Sequence, residues 1–120
     1  MTVVYWIVAA ITALAFLLAG GMKVVGPESA LREKGVLPER RTMARERLIG
    51  AVEVIGALGL ILPPLTGIAP VLAPIAAAGL VITMVIAAVD HRSHDEPVNG
   101  PLVPGLLALA TTVLGFIVWI

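Results

Sequence analysis

RLIGAVEVIGALGLILPPLTGIAPVLAPIAAAGLVITMVIAAVDH, residues 47–91, decides the fold. Between Arg47 and Asp90 it holds one charged residue, Glu53. Two apolar runs, 48–65 and 68–89, are separated only by a Pro/Gly-marked break over 63–67. Each run nearly matches or exceeds the roughly 20 residues that a helix needs to cross about 30 Å of hydrocarbon. A break that short makes them neighbouring antiparallel helices. The strands of a membrane barrel would alternate apolar and polar residues over about ten positions, and these runs do not.

Two further uncharged runs complete the set, 3–22 and 102–120. The chain of 120 residues is 59% hydrophobic and 13% charged, with a mean hydropathy of +1.05. Charged residues thus stand at about half their usual share, and a soluble domain this small has too little interior for so much apolar surface. The expected architecture is all-α: a single integral membrane domain, 1–120, built as a four-helix bundle. Its helices are expected over about 3–22, 46–65, 68–89 and 102–120. A cleaved signal peptide fits the first run poorly, since it lacks a basic leader and is too long for a signal core.

The distribution of charge sets an orientation. Of the eight Lys and Arg residues, all but Arg92 lie in the first connection or at its edges: Lys23, Arg32, Lys34, Arg40, Arg41, Arg45 and Arg47. The first and third connections share one side, so the positive-inside rule makes that side cytoplasmic and both termini outward. Tyr5, Trp6, Phe116 and Trp119 then fall at the outer ends, where an interfacial aromatic belt is expected. Within the basic loop, 27–35 carries the marks of a short helix: Pro at its start, Glu in its first turn, Lys in its last, Gly beyond. Leu31, Val36 and Leu37 either rest on the membrane surface or cap the bundle from below; otherwise the loop is a solvated segment that sets topology.

Gly50, Glu53, Gly56 and Gly59 recur every three residues. Steps of three advance about 300°, so the row drifts around the helix and meets more than one neighbour. Small residues let membrane helices approach closely, and the second span is expected to be the central helix, with Glu53 inside the bundle. Glu53 lies roughly 9 Å from Arg47, below the cytoplasmic interface. A charge at mid-membrane costs roughly 2.5–3.5 kcal/mol on insertion scales. The carboxyl therefore either carries a proton, because desolvation disfavours its charged form, or pairs with a cation. Lys23, Asp90 and His91 end their spans on the same side. Gly79, Thr83, Ala87 and Asp90 fall within about 80° of helical arc, which predicts an inward Asp90. Lys23, Glu53, Thr83 and Asp90 are the candidate ligand-binding residues, and Glu53, Asp90 and His91 the candidate acid–base groups. A purely structural Lys–Glu pair is the alternative.

Other chemistries find little support. The chain has no Cys, which removes disulfides, thiolate ligands and dithiol redox chemistry. DHRSHDE, residues 90–96, has two His three apart but no second ligand-rich segment, so no metal is expected. With both His on one short segment, bis-His haem ligation across the bundle is also unavailable. No serine falls within the four runs, and no Gly-rich phosphate loop is present. Net charge is zero, and nothing points to nucleic acid.

FLLAGGMKVVGP, residues 16–27, together with the 47–91 stretch resembles the DoxX-like family of small four-helix membrane proteins. The resemblance rests on Gly20 and Lys23, on Gly50, Glu53, Gly56, Gly59 and Pro63, and on Ala87 with His91. It covers roughly residues 5–95. It implies a bacterial cytoplasmic (inner) membrane location and a link to thiosulfate–quinone oxidoreduction or redox-stress complexes. Three functions stand open. One is an accessory subunit that holds a quinone or other lipophilic small molecule near Glu53, or anchors a soluble redox partner, with a homo-oligomer as a further option. The second is a small intramembrane enzyme acting on a lipophilic substrate, for instance in epoxide opening or isomerisation. The third is a proton-coupled transporter, resembling the small multidrug exporters in size but not in the position of its Glu or in its aromatics.

Overall fold

The structure is a computed structural model that describes residues 1–35 and 37–120. It has five helices and no strand among the described residues: α1 (Thr2–Val25), α2 (Glu28–Glu33), α3 (Met43–Thr66), α4 (Leu72–Ser93) and α5 (Asn99–Trp119). The four long ones are all apolar enough to cross a bilayer. At about 1.5 Å per residue, α1 and α3 reach roughly 36 Å, more than the hydrocarbon thickness. The molecule is a multi-pass membrane four-helix bundle. Its outer surface agrees: Val3, Leu18, Leu48, Ile55, Ile82 and Ile117 all stand exposed, an apolar coat of the kind that lipid covers.

The spans form a ring in which α1 touches α3 and α5, and α4 touches α3 and α5. The second span, α3, is thus packed on two sides, but so is every other span, and it holds no central place. The glycine row serves both neighbours. A Cβ on Gly50 would lie 2.7 Å from the Gly20 carbonyl oxygen and 2.7 Å from Lys23 Cβ, both on α1. Cβ atoms on Gly56 and Gly59 would instead strike Leu80 and Ala76 of α4. The three-residue drift hands the helix from one partner to the other.

Helix α3 begins at Met43, where the Thr42 hydroxyl accepts from the Arg45 amide at 3.3 Å. It runs through Pro63 and Pro64 and stops at Gly67, whose φ of 75° ends it in the left-handed region. The α3–α4 connection is therefore 67–71, later than the 63–67 break marked by the prolines. A proline lacks the N–H that would bond four residues back, so Pro64 leaves the Leu60 carbonyl without its helical donor. The Tyr5 hydroxyl, fully buried, donates to that carbonyl at 2.7 Å. Tyr5, Trp6 and Trp119 then stack edge-to-face, with centroids 5.4–6.1 Å apart. These aromatics gather at one end, yet Tyr5 is a core residue and not part of a lipid-facing belt. Halfway down, the Thr12 and Thr111 hydroxyls meet at 2.9 Å and join α1 to α5.

At the opposite end, α2 forms the short helix expected from 27–35, and Gly35 follows it at φ 75°. Leu31 and Leu37 are both buried, and the Leu37 amide donates to the Leu31 carbonyl at 3.1 Å. Val36 lies outside the described residues. Arg47 donates to the Val24 and Gly26 carbonyls, a cation on the exposed carbonyls at the C-terminus of α1.

Candidate functional site

The close approach of Gly20 and Gly50 sets the geometry of the site. Their backbones touch, so Lys23 of α1 and Glu53 of α3 come within reach of one another. Lys23 Nζ donates to Glu53 Oε1 at 2.7 Å. The Glu53 side chain is 1% exposed and that of Lys23 19%. Of the two ways to hold a carboxyl here, the ion pair is the one realised.

Asp90 takes different partners. Arg40 grips it with two guanidinium nitrogens, at 3.2 and 2.9 Å, and Arg41 adds a third bond at 3.0 Å. Arg40 also holds Glu96, at 2.7 Å. Its guanidinium keeps the Glu96 carboxyl below the ordinary range by hydrogen bonding, and its own proton is held more tightly in return. Arg41 reaches Glu46 at 3.5 Å. Glu46 is almost wholly buried, and neither its Oε1 nor Arg41 Nε has a hydrogen-bond partner among the described residues. His91 Nδ1 lies 3.0 Å from the Pro97 carbonyl. A carbonyl only accepts, so Nδ1 donates there. His94 Nδ1 sits 2.9 Å from the Asp90 carbonyl and caps the end of α4. Thr83 Oγ1 donates to the Gly79 carbonyl one turn earlier, at 2.9 Å.

All five candidates line one cavity of about 820 Å³: Lys23, Glu53, Thr83, Asp90 and His91. They do not form one cluster. Lys23 and Glu53 sit together in the wall, whereas Asp90 belongs to the arginine network with Glu96, Arg41 and Glu46. The Gly79–Thr83–Ala87–Asp90 stripe lines the cavity only from Thr83 onward; Gly79 is exposed. Apolar side chains complete the walls, among them Phe16, Ile49, Val52, Met84 and Ala87. The arrangement is an apolar chamber in the membrane domain with an ion pair in its wall and a charged rim on the loops. Its volume of about 820 Å³ falls in the size range of small-molecule pockets.

Sequence reasoning missed Arg40, Arg41 and Glu46. Glu46 precedes Glu53 by two turns, so it lies on nearly the same face of α3. That spacing was the available signal. No comparable signal marks the arginines, because loop geometry chooses their partners.

Neither the curated proteins nor the solved structures yield a match to this chain. A family model does, described as the DoxX-like family and aligned over residues 7–114. That span takes in α3 and α4 whole, most of α1 and α5, the Gly20–Gly50 contact and every residue of the cavity, so the chain belongs to the DoxX-like family.

Proposed function

We propose that this protein binds a lipophilic small molecule in the cavity between α1, α3, α4 and α5, and serves as an accessory subunit of a redox-linked membrane system. The observation that carries the reading is the Lys23–Glu53 pair set in the wall of an apolar chamber of about 820 Å³. Chambers of this kind bury most of a small ligand against apolar walls and orient it with a few polar groups. A quinone is the ligand that the family's redox associations favour. The chain has no Cys to supply redox chemistry itself. Loop one is assigned to the cytoplasmic side of a bacterial inner membrane, with the termini outside, from its charge bias. Because the chain lacks Cys, Thr2→Cys and Glu39→Cys give clean reporters. An impermeant maleimide applied to intact spheroplasts should label the first and spare the second.

The competing reading is a self-sufficient enzyme using carboxylate acid–base chemistry. Asp90 serves it poorly, since both of its oxygens are occupied by arginines. The deciding experiment is purification of the protein alone, identification of any co-purifying lipophile, and assay of candidate substrates in wild type and Glu53→Gln. A bound lipophile without turnover supports the accessory role. Turnover by the isolated wild type, lost in Glu53→Gln, would overturn it.

A further inference from the structure

We infer that the cavity recognises a lipophile whose head is an uncharged hydroxyl, an alcohol or phenol, through Lys23 and Glu53 together. The inference rests on the ligand-binding reading above and adds the chemistry of the head. Among the described residues, the bond from Lys23 Nζ to Glu53 Oε1 is the one hydrogen bond that either side chain makes. An ammonium carries three donors and a carboxylate two acceptor oxygens. Two N–H groups and Glu53 Oε2 therefore remain for whatever occupies the cavity. The Glu53 side chain is only 1% exposed, and polar groups left unmet in such a site are costly.

The pair is neutral as a unit. A cationic or anionic head would bring an unmatched charge beside it, in an apolar wall where unmatched charge is strongly disfavoured. The carboxylates at the mouth are already held by Arg40 and Arg41, so they offer no free anion to a cationic head. What the wall offers is a donor and an acceptor close together. A hydroxyl answers both, accepting from Nζ and donating to Oε2. It reproduces the bonds that a water molecule would make there and so displaces one without loss. A ketone, ester or ether accepts only and leaves Oε2 unmet, so of a quinone couple the wall favours the reduced form, whose head carries hydroxyls. Arg45, exposed at the mouth, is where an anionic head would go instead.

The test uses the full-length protein in lipid nanodiscs, with empty nanodiscs as the reference. Radiolabelled 4-nonylphenol is the probe; its methyl ether and 4-nonylbenzoate are the competitors. The expected result is saturable binding of the phenol, with the ether competing about tenfold or more weakly, the fold-change for one lost hydrogen bond to a charged group. In Glu53→Gln the phenol's advantage should shrink to about threefold or less. If that variant does not fold, the wild-type series decides alone. Ether and phenol binding equally would overturn the hydroxyl assignment while leaving lipophile binding intact. So would an unchanged preference in Glu53→Gln. Benzoate binding most tightly would overturn it in favour of an anion site at Arg45. Absence of binding by every probe would overturn both this inference and the lipophile-binding reading.

Discussion

Replacing Lys23 with Met keeps the apolar stem beside Gly50 and removes only the ammonium. Glu53, 1% exposed, is then left as a buried carboxylate without its partner. Breaking a buried pair from one side typically costs about 3–5 kcal/mol, because the surviving charge is uncompensated. The reverse change, Glu53→Gln, should cost less, about 1–2 kcal/mol. Its survivor is a long, 19% exposed side chain that can turn its head toward water. Removing both charges should return stability to within about 1 kcal/mol of wild type, since neither charge is then stranded. The cycle thus predicts a coupling of about 3 kcal/mol or more. Unfolding by SDS titration in mixed micelles, followed by far-UV circular dichroism, measures all four proteins. A cost under about 1 kcal/mol for Lys23→Met would show that the Glu53 charge does not depend on Lys23. So would a double variant whose loss equals the sum of the two single losses.

Four further outcomes follow from the same structure. Tyr5→Phe should cost about 1–3 kcal/mol by stranding the Leu60 carbonyl; in a Pro64→Ala background, where Ala would supply the helical N–H, the same change should cost clearly less, as read by the same titration. Gly50→Val should destabilise by about 2 kcal/mol or more, because its Cβ meets backbone and Cβ atoms of α1 at 2.7 Å. Gly79→Ala should be neutral or slightly stabilising, since a Cβ there meets nothing within 4 Å among the described residues. Arg40 depresses the Glu96 carboxyl, so this contribution is complete above the ordinary value of 4.5 and is lost as pH falls through the lower folded value. The melting difference between wild type and Arg40→Ala should therefore hold from neutral pH down to about pH 5 and narrow only in more acid solution; a difference unchanged by strong acid would contradict the Arg40–Glu96 contact.

The bundle was legible because a bilayer constrains sequence so heavily. Uncharged runs of spanning length have few folds available, and the glycine row announced close helix contact before any partner was known. Lys23 and Glu53 were legible as one of two options: a carboxyl in hydrocarbon takes a proton or a cation, and few cations end a span on that side. The helix end at Gly67 was harder to read, because Pro63 and Pro64 normally stop a helix. Here a tyrosine 55 residues away supplies the donor that Pro64 lacks, and no local pattern encodes that bond. Asp90 was read as pointing inward toward Lys23 and Glu53; it lines the same cavity, but its partners are Arg40 and Arg41. These come from a loop some 50 residues earlier in the chain, and no local pattern encodes that pairing. Thr12 and Thr111 stayed unread because a threonine can satisfy its hydroxyl on its own helix; nothing in the sequence separates that case from a bond between helices.

The most direct test of the account is native mass spectrometry of the protein released from nanodiscs after incubation with a lipophilic ligand. Wild type is compared with Thr83→Phe, which places a ring in the cavity. One ligand per chain is expected on wild type and none on Thr83→Phe, with both proteins equally helical. Equal occupancy of the two proteins, or no ligand on either, would contradict it.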